Sequence, residues 1–155
     1  MDDVLRIQAQ CYSEIVPESR ASLRAKVHAS PGTCFVAEAA AGVVGYLIAV
    51  PVLYPELPAL NAPSFEAARD TDTLYIHDLA VADAGRGTGA GQALVRAAMA
   101  AAKARGLEKA CLVAIQGSVR YWEQFGFEPV AAPPDHAAAK LASYGAAARL
   151  MQATL

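Results

Sequence analysis

The sequence predicts an α/β protein with a mixed central sheet flanked by helices. Apolar residues recur at helical spacing in some segments and form short, near-continuous runs in others, and the two kinds of segment alternate along the 155 residues. A hydrophobic fraction of 55% and a charged fraction of 18% are typical of a globular chain. This length suits one hydrophobic core, so we expect residues 1–155 to form a single domain.

Two helices are predicted at the start of the chain. The first runs to about Tyr12, with Asp2 or Asp3 as its cap, because its apolar residues have helical spacing. Pro17-Glu18-Ser19 opens the second helix, and the Ser30-Pro31-Gly32 turn ends it.

A hairpin and a long loop follow the second helix. Residues 33–38 and 43–50 are predicted strands joined at Ala41-Gly42. Residues 51–72 contain several prolines with apolar residues between them, which excludes a regular element. Such a loop either lines a functional site or is a surface excursion packed by its own side chains, and the sequence leaves both open.

The second half alternates strands with helices. A strand is predicted at 73–81, a helix at 89–105 ending at Gly106, a buried strand at 109–115, a short helix around 118–125 and a strand at 127–130. The alanine-rich tail has helical propensity over 136–151, whereas 147–154 is alternatively a closing strand.

Composition and charge exclude several classes of protein. A net charge of −2 and a pI near 5.9 argue against a nucleic-acid partner. No apolar run is long enough to span a bilayer, and the start of the chain does not resemble a signal peptide, so we expect no membrane partner. Cys11, Cys34 and Cys111 lack metal-ligand spacing, so we expect reduced thiols, a cytoplasmic protein and no metal.

The strand at 73–81 ends in a glycine-rich turn that opens a helix. The turn reads Arg86-Gly87-Thr88-Gly89-Ala90-Gly91, and its glycines let backbone N–H groups at the helix start approach a phosphate. The lysine and hydroxyl of a nucleotide-binding P-loop are absent, because Gln92 and Ala93 follow. A dinucleotide pattern is formally satisfied, but no acidic residue follows Ile115 to hold a ribose.

Two segments resemble the GNAT N-acetyltransferase superfamily. Arg86-x-x-Gly89-x-Gly91, preceded by Asp78-Leu79-Ala80-Val81, is similar to the acyl-CoA motif of that family, and Tyr121-Trp122-Glu123-Gln124-Phe125-Gly126-Phe127 to its aromatic segment. The resemblance covers about residues 1–130. It implies a GNAT-type sheet and direct transfer of an acetyl group from acetyl-CoA to a primary amine within a ternary complex. The chain starts inside the first helix, so we expect the first strand of the family to be missing.

The resemblance also implies which residues bind the coenzyme. Main-chain groups of Leu79, Ala80 and Val81 would hold the pantetheine arm, with the Leu79 N–H at a bulge binding the oxyanion. The N–H groups from Arg86 to Gly91 would bind the pyrophosphate. Side chains that pack or donate nearby complete the set: Thr88, Gln92 and Trp122.

His77 is the predicted general base, directly or through water. Its unperturbed pKa of about 6.5 suits proton removal near neutrality, and family members place bases at this position, with a local similarity to aralkylamine acetyltransferases. Strand alternation places Tyr75 and His77 on one face and Asp78 on the other. Tyr75 would orient the amine or a water, and Tyr121 is the candidate proton donor to the thiolate.

The sequence leaves two other functions open. It also leaves open the acceptor amine and the oligomeric state. Trp122, where the family often has tyrosine, favours a non-catalytic acyl-CoA sensor, whereas His77 favours an enzyme; a dinucleotide-binding domain is a weaker alternative. Aromatic residues in the 51–72 loop favour a small apolar amine as acceptor. Many relatives form homodimers, and the sequence does not decide the oligomeric state.

Overall fold

The structure, a computed structural model, describes residues 1–12, 17–40 and 42–155. Its helices are α1 (Asp2–Cys11), α2 (Arg20–Ala29), α3 (Ala90–Ala104), α4 (Val119–Glu123) and α5 (Asp135–Ala142). Its strands are β1 (Phe35–Ala39), β2 (Gly42–Val52), β3 (Thr73–Val81), β4 (Lys109–Ala114), β5 (Glu128–Pro129) and β6 (Arg149–Thr154).

The six strands form one mixed sheet in the order β1-β2-β3-β4-β6-β5. Only β3 and β4 pair in parallel, and α3 is the crossover between them; the other neighbours are antiparallel. Among the described residues no strand precedes α1, and β1 is an edge of the sheet. The predicted α/β class with a mixed, helix-flanked sheet is therefore confirmed.

Helices cover both faces of the sheet. Leu47 and Ala49 of β2 belong to the core beneath α3, whereas Tyr46 and Ile48 pack with residues of α1 and α2. Side chains alternate across a strand, so these two clusters lie on opposite faces. The site described below lies where the edge of β3 meets α1 and the segment before α2.

The first two helices begin differently from each other. Ser19 accepts a hydrogen bond from the Ser22 N–H, so the predicted start of α2 is confirmed. The predicted cap of α1 is wrong, because Met1 is its N-cap and no side chain makes a capping bond. Asp3 instead pairs with Arg6 one turn along the helix at 3.0 Å.

The segment between β2 and β3 packs onto the body of the protein. Leu57 is 6% exposed and belongs to the same cluster as Val50 and Tyr75. Leu60 lines a small cavity beside β3. These contacts favour the interpretation that the loop lines a site. The predicted hairpin turn before β2 includes Ala41, which lies outside the described residues.

The end of the chain is a helix and then a strand. Helix α5 ends at Ala142, so a helix continuing to residue 151 is wrong, and the alternative of a closing strand is confirmed as β6. Alanine favours a helix locally, but β6 gains backbone partners on both sides because it lies between β4 and β5. Strand β5 is limited to two residues.

Within the described ranges, no helix combines the length and apolar character needed to cross a bilayer. The same residues hold no group of three or more His, Cys, Asp or Glu arranged to bind a metal. All three cysteines are free thiols, with Cys111 buried and Cys11 and Cys34 partly buried.

Candidate active site

A cleft of about 760 Å³ opens where β3 and β4 separate. The two strands pair only from Thr73 with Lys109 to Ile76 with Leu112, and β3 continues to Val81 without β4 beside it. Leu79, Ala80 and Val81 line the cleft, as does every residue of the glycine turn from Arg86 to Gly91. The structure thus brings together the residues that the sequence assigned to the coenzyme.

The free edge of β3 presents main-chain groups to this cleft. The Leu79 carbonyl accepts a hydrogen bond from the Tyr12 hydroxyl at 3.2 Å, and the Val81 carbonyl accepts one from Cys11 Sγ at 3.4 Å. In an antiparallel pair, the N–H and C=O of one residue point to the same side of the strand. Leu79 and Val81 therefore face away from β2, which leaves their main-chain groups on the open edge.

A β-bulge at His77 changes the direction of the side chains. Ile48 pairs with Asp78 and Ala49 with Ile76, so His77 has no partner on β2. The prediction that Asp78 lies on the face opposite His77 is wrong, because both side chains line the cleft and a small cavity of about 40 Å³ beside it. The bulge lies at His77, before the predicted position at Leu79.

His77 is paired with a carboxylate that the sequence analysis missed. Its Nε2 lies 2.8 Å from Oε2 of Glu18, and the two side chains are 1% and 5% exposed. Glu18 is held in place by reciprocal bonds between its backbone and the Gln8 side chain, at 3.0 and 3.1 Å. The imidazole is thus part of a rigid, buried polar network.

The Glu18 carboxylate accepts hydrogen bonds from several elements. Lys26 Nζ, on α2, lies 3.2 Å from both oxygens, and the Asn61 N–H, from the loop, donates to Oε1. Burial raises the pKa of Glu18, but His77, the Asn61 N–H and the Lys26 charge together outweigh burial and lower that pKa to about 2. Glu18 is therefore ionised at neutral pH.

Asp78 forms a second buried carboxylate beside His77. Tyr46 donates a hydrogen bond to its Oδ2 at 2.6 Å, and Tyr12 donates to Oδ1. Burial raises the pKa of Asp78, although both tyrosine hydroxyls favour the charged form. Tyr12 thus joins α1 to β3 directly at the inner end of the cleft.

Tyr75 lies beneath the site. Its side chain is almost fully enclosed, at 1% exposed, and its ring meets His77 edge-on with centroids 5.7 Å apart. Its hydroxyl lies 3.3 Å from that of Tyr144, which itself lines the cleft. The predicted role of Tyr75 in orienting the amine or a water stays a prediction.

The glycine turn leaves backbone donors free at the start of α3. The N–H groups of Arg86 and Thr88 donate to the carbonyls of Asp83 and Gly85 at 3.2 and 3.4 Å, and their binding of a pyrophosphate stays a prediction. Gly87, Gly89 and Gly91 have N–H groups without an acceptor among the described residues. Gly87 and Gly89 have φ values of 73° and 85°, which strongly favour glycine.

Side chains around the glycine turn also form hydrogen bonds and an ion pair within the protein. The Thr88 hydroxyl donates to the Gly85 carbonyl at 2.7 Å, and Gln92 Nε2 donates to Gln124 Oε1 at 3.2 Å. Arg86 is exposed and pairs with Asp83 at 3.0 Å. These contacts hold the turn in shape, and main-chain groups supply its free donors.

Tyr121 and Trp122 line the cleft from α4. Trp122 is 7% exposed and packs edge-to-face against Phe127 in the core, so only part of its surface meets the cleft. The Tyr121 hydroxyl is buried without a hydrogen-bond partner among the described residues, and a Cβ on Gly91 would lie 2.7 Å from it. This hydroxyl therefore lies against the start of α3.

Comparison with known proteins identifies the class. The model of the acetyltransferase (GNAT) family matches residues 1–127, and the chain belongs to that family, which makes it an acyltransferase. No curated protein matches the chain by sequence.

Solved structures share the fold at low identity. Ard1 from Thermoplasma volcanium is 18% identical with a TM-score of 0.72, covering 99% of this chain and 90% of its own. Rv2747 from Mycobacterium tuberculosis, in complex with CoA, is 16% identical with a TM-score of 0.74. The match covers 99% of this chain and 93% of Rv2747. The loading GNATL domain of CurA from Lyngbya majuscula is 12% identical with a TM-score of 0.77. The match covers 99% of this chain and 92% of the CurA domain.

Proposed function

We propose that residues 1–155 form one acetyltransferase domain that moves an acetyl group from acetyl-CoA to a small primary amine. The observation that supports this best is the open edge of β3, which runs from the glycine turn to the His77 bulge along one cleft. Several of the solved structures with this fold were determined with CoA or an acyl-CoA bound. The three free cysteines are compatible with a cytoplasmic location.

The residues present fit a coenzyme that carries a diphosphate. Free N–H groups at Gly87, Gly89 and Gly91 lie at the positive end of the α3 dipole, where an anion is stabilised. On the open edge the Leu79 and Val81 carbonyls already accept bonds from Tyr12 and Cys11, and the N–H groups of the same two residues suit the pantetheine carbonyls, as in strand addition. When bound, acetyl-CoA supplies an acyl group activated as a thioester.

The chain's own residues would perform the proton transfers. His77 would take the proton that leaves the amine nitrogen, and the Leu79 N–H would stabilise charge on the acyl oxygen. A cleft hydroxyl would supply the proton that the sulfur leaving group needs. Tyr121 and Tyr144 are candidates because both line the cleft.

The acceptor site is the inner end of the cleft. Asp78, Tyr12 and Tyr144 line both the cleft and the small cavity, and Leu60 of the loop lines the cavity. A cavity of about 40 Å³ admits one or a few water molecules and no bulky group. This enclosure favours a compact amine. Some proteins with this fold were solved with peptide-based ligands, so peptide amines belong in the test.

The proposal is tested by binding and by turnover. Acetyl-CoA, but not NAD, should raise the melting temperature, and a panel of primary amines and short peptides should include one that releases thiol from acetyl-CoA. His77→Ala should still bind acetyl-CoA but lose about 10²–10⁴-fold in kcat. His136→Ala, at an exposed histidine, is the matched control and should retain activity.

Each part of the proposal has its own contradicting outcome. No thermal shift with acetyl-CoA would exclude coenzyme binding. A shift without thiol release from any amine would favour the acyl-CoA sensor. Full activity of His77→Ala at pH 7 would exclude His77 as the base.

A further inference from the structure

The pairing of Glu18 with His77 has a consequence for the chemistry of the imidazole. Building on the proposed function, we propose that Glu18 is a positioning residue that holds His77 as the Nε2–H tautomer, which leaves Nδ1 to accept the proton of the amine. Lys26 and Asn61 support Glu18 in this role.

The tautomer follows from the chemistry of the two partners. An ionised carboxylate only accepts hydrogen bonds, so at 2.8 Å the proton between Glu18 and His77 must be on Nε2 of the neutral ring. Lys26 Nζ and the Asn61 N–H also donate to this carboxylate. Because three donors surround it, Glu18 has no proton to give to His77.

The second ring nitrogen of His77, Nδ1, is available to accept a proton. Nδ1 is buried and has no hydrogen-bond partner among the residues that the structure describes. A buried acceptor without a partner costs free energy, so it is a suitable place for a proton or a bound donor. His77 lines both the cleft and the cavity of about 40 Å³, and a cavity of that volume holds a water when it is polar. Because Nδ1 is enclosed, the amine proton would reach it through a water in that cavity.

A buried ion pair lies beside the His77 ring. Lys26 has no exposed surface and neutralises Glu18 in the resting site. When His77 takes a proton, its ring gains a positive charge 2.8 Å from the Glu18 carboxylate. The ionisable and polar groups packed around the ring come from several elements: Gln8, Tyr12, Glu18, Lys26, Asp78 and Tyr144.

The Glu18→Gln variant tests the proposed tautomer, because the hydrogen bonds around position 18 fix the orientation of the glutamine amide. The Asn61 N–H donates to the Oε1 position, so the amide oxygen must take that place and the NH2 group must face His77. The NH2 group then donates to Nε2, which moves the ring proton to Nδ1. We expect kcat to fall about 10²-fold or more, with KM for acetyl-CoA unchanged, since a wrong tautomer cannot act as base.

The tautomer is measured directly by NMR of protein labelled with ¹⁵N-histidine. At pH 7 the wild-type His77 should show a protonated Nε2 and an unprotonated Nδ1, and Glu18→Gln should show the reverse. Glu56→Gln is the matched control, because Glu56 pairs with His136 at 3.1 Å on the surface. It should change neither the His77 signals nor kcat.

The outcomes separate this inference from the proposed function. A wild-type ring protonated on Nδ1 would overturn the role of Glu18, whatever the activity, and this spectrum decides even if Glu18→Gln does not fold. A folded Glu18→Gln protein with wild-type kcat would overturn it as well. If no amine is acetylated while the predicted tautomer is seen, the proposed function fails and the assignment of the tautomer stands.

Discussion

The Glu18 carboxylate pairs with the proposed base and contacts several elements of the fold. Glu18 contacts α1 through Gln8, α2 through Lys26, β3 through His77 and the loop through Asn61. A buried charge is tolerated only when its partners compensate for the lost hydration, and breaking such a set usually costs about 3–5 kcal/mol. The same residue therefore organises the site and holds together four parts of the chain.

The titration of Glu18 predicts a pH dependence of stability. Its pKa is about 2 in the folded protein against an ordinary value of 4.5, so the folded state binds fewer protons between these two pH values. The stabilisation is fully present above about pH 4.5 and is lost as the pH falls towards 2. We expect this loss to be about 3 kcal/mol, measured by urea unfolding at several pH values.

The Glu18→Gln variant separates the contribution of this carboxylate to stability from the contributions of other groups. Glu18→Gln has no carboxylate to titrate, so its free energy of unfolding should fall less than that of the wild type between pH 4.5 and 2. Glu56→Gln, at an exposed carboxylate, should follow the wild type. Equal slopes for wild type and Glu18→Gln would show that Glu18 keeps an ordinary pKa.

At the scale of elements, the start of α3 depends on its contact with α4. Gly91 leaves room for the Tyr121 hydroxyl, and a Cβ there would lie 2.7 Å from that oxygen. Real Cβ atoms do not approach so closely, so a side chain at position 91 must displace Tyr121 or the turn. Gly91 of the glycine turn is thus required by packing.

Gly91→Ala should lower the melting temperature and weaken acetyl-CoA binding, because α3 and α4 can no longer approach. Adding Tyr121→Phe removes the clashing oxygen, so the double variant should regain stability relative to Gly91→Ala. Gly32→Ala is the control, since its Cβ would meet only Arg105 at an ordinary 3.6 Å. Calorimetry and titration with acetyl-CoA measure both effects, and a double variant no more stable than Gly91→Ala would contradict this explanation.

At the scale of the whole molecule, β6 completes the sheet. It pairs with β4 along its whole length and with β5, and Met151 is fully buried beneath α3 with Leu112 and Trp122. The last residues of the chain therefore stabilise the strand that forms one wall of the cleft.

Met151→Ala should lower the free energy of unfolding by about 2–5 kcal/mol, because it leaves a cavity in the main core. Thr154→Ala, on the same strand but exposed, should change it by less than about 0.5 kcal/mol. Denaturant unfolding compares the two variants. Similar small losses for both would show that β6 is not part of the cooperative core.

Local signals predicted much of the fold. The limits of β3 and α3 and the end of α3 at Gly106 follow from apolar spacing and glycine positions, and the structure agrees within about a residue. The tail was ambiguous, because alanine favours a helix while the pairing that makes β6 a strand comes from β4 and β5. The position of Asp78 was wrong because alternation assumes a regular strand and the bulge adds a residue.

The sequence by itself determined the order of elements, the glycine turn and the family, since all three depend on neighbours along the chain. Only the tertiary structure decided which side chains meet around His77. Glu18 and His77 are 59 positions apart, and Tyr75 and Tyr144 are 69 apart. Glu18 has the appearance of an ordinary residue at a helix start, and Tyr144 lies in an alanine-rich tail. Their roles depend on the packing of α1, α2 and the tail around one strand edge, which no local pattern contains.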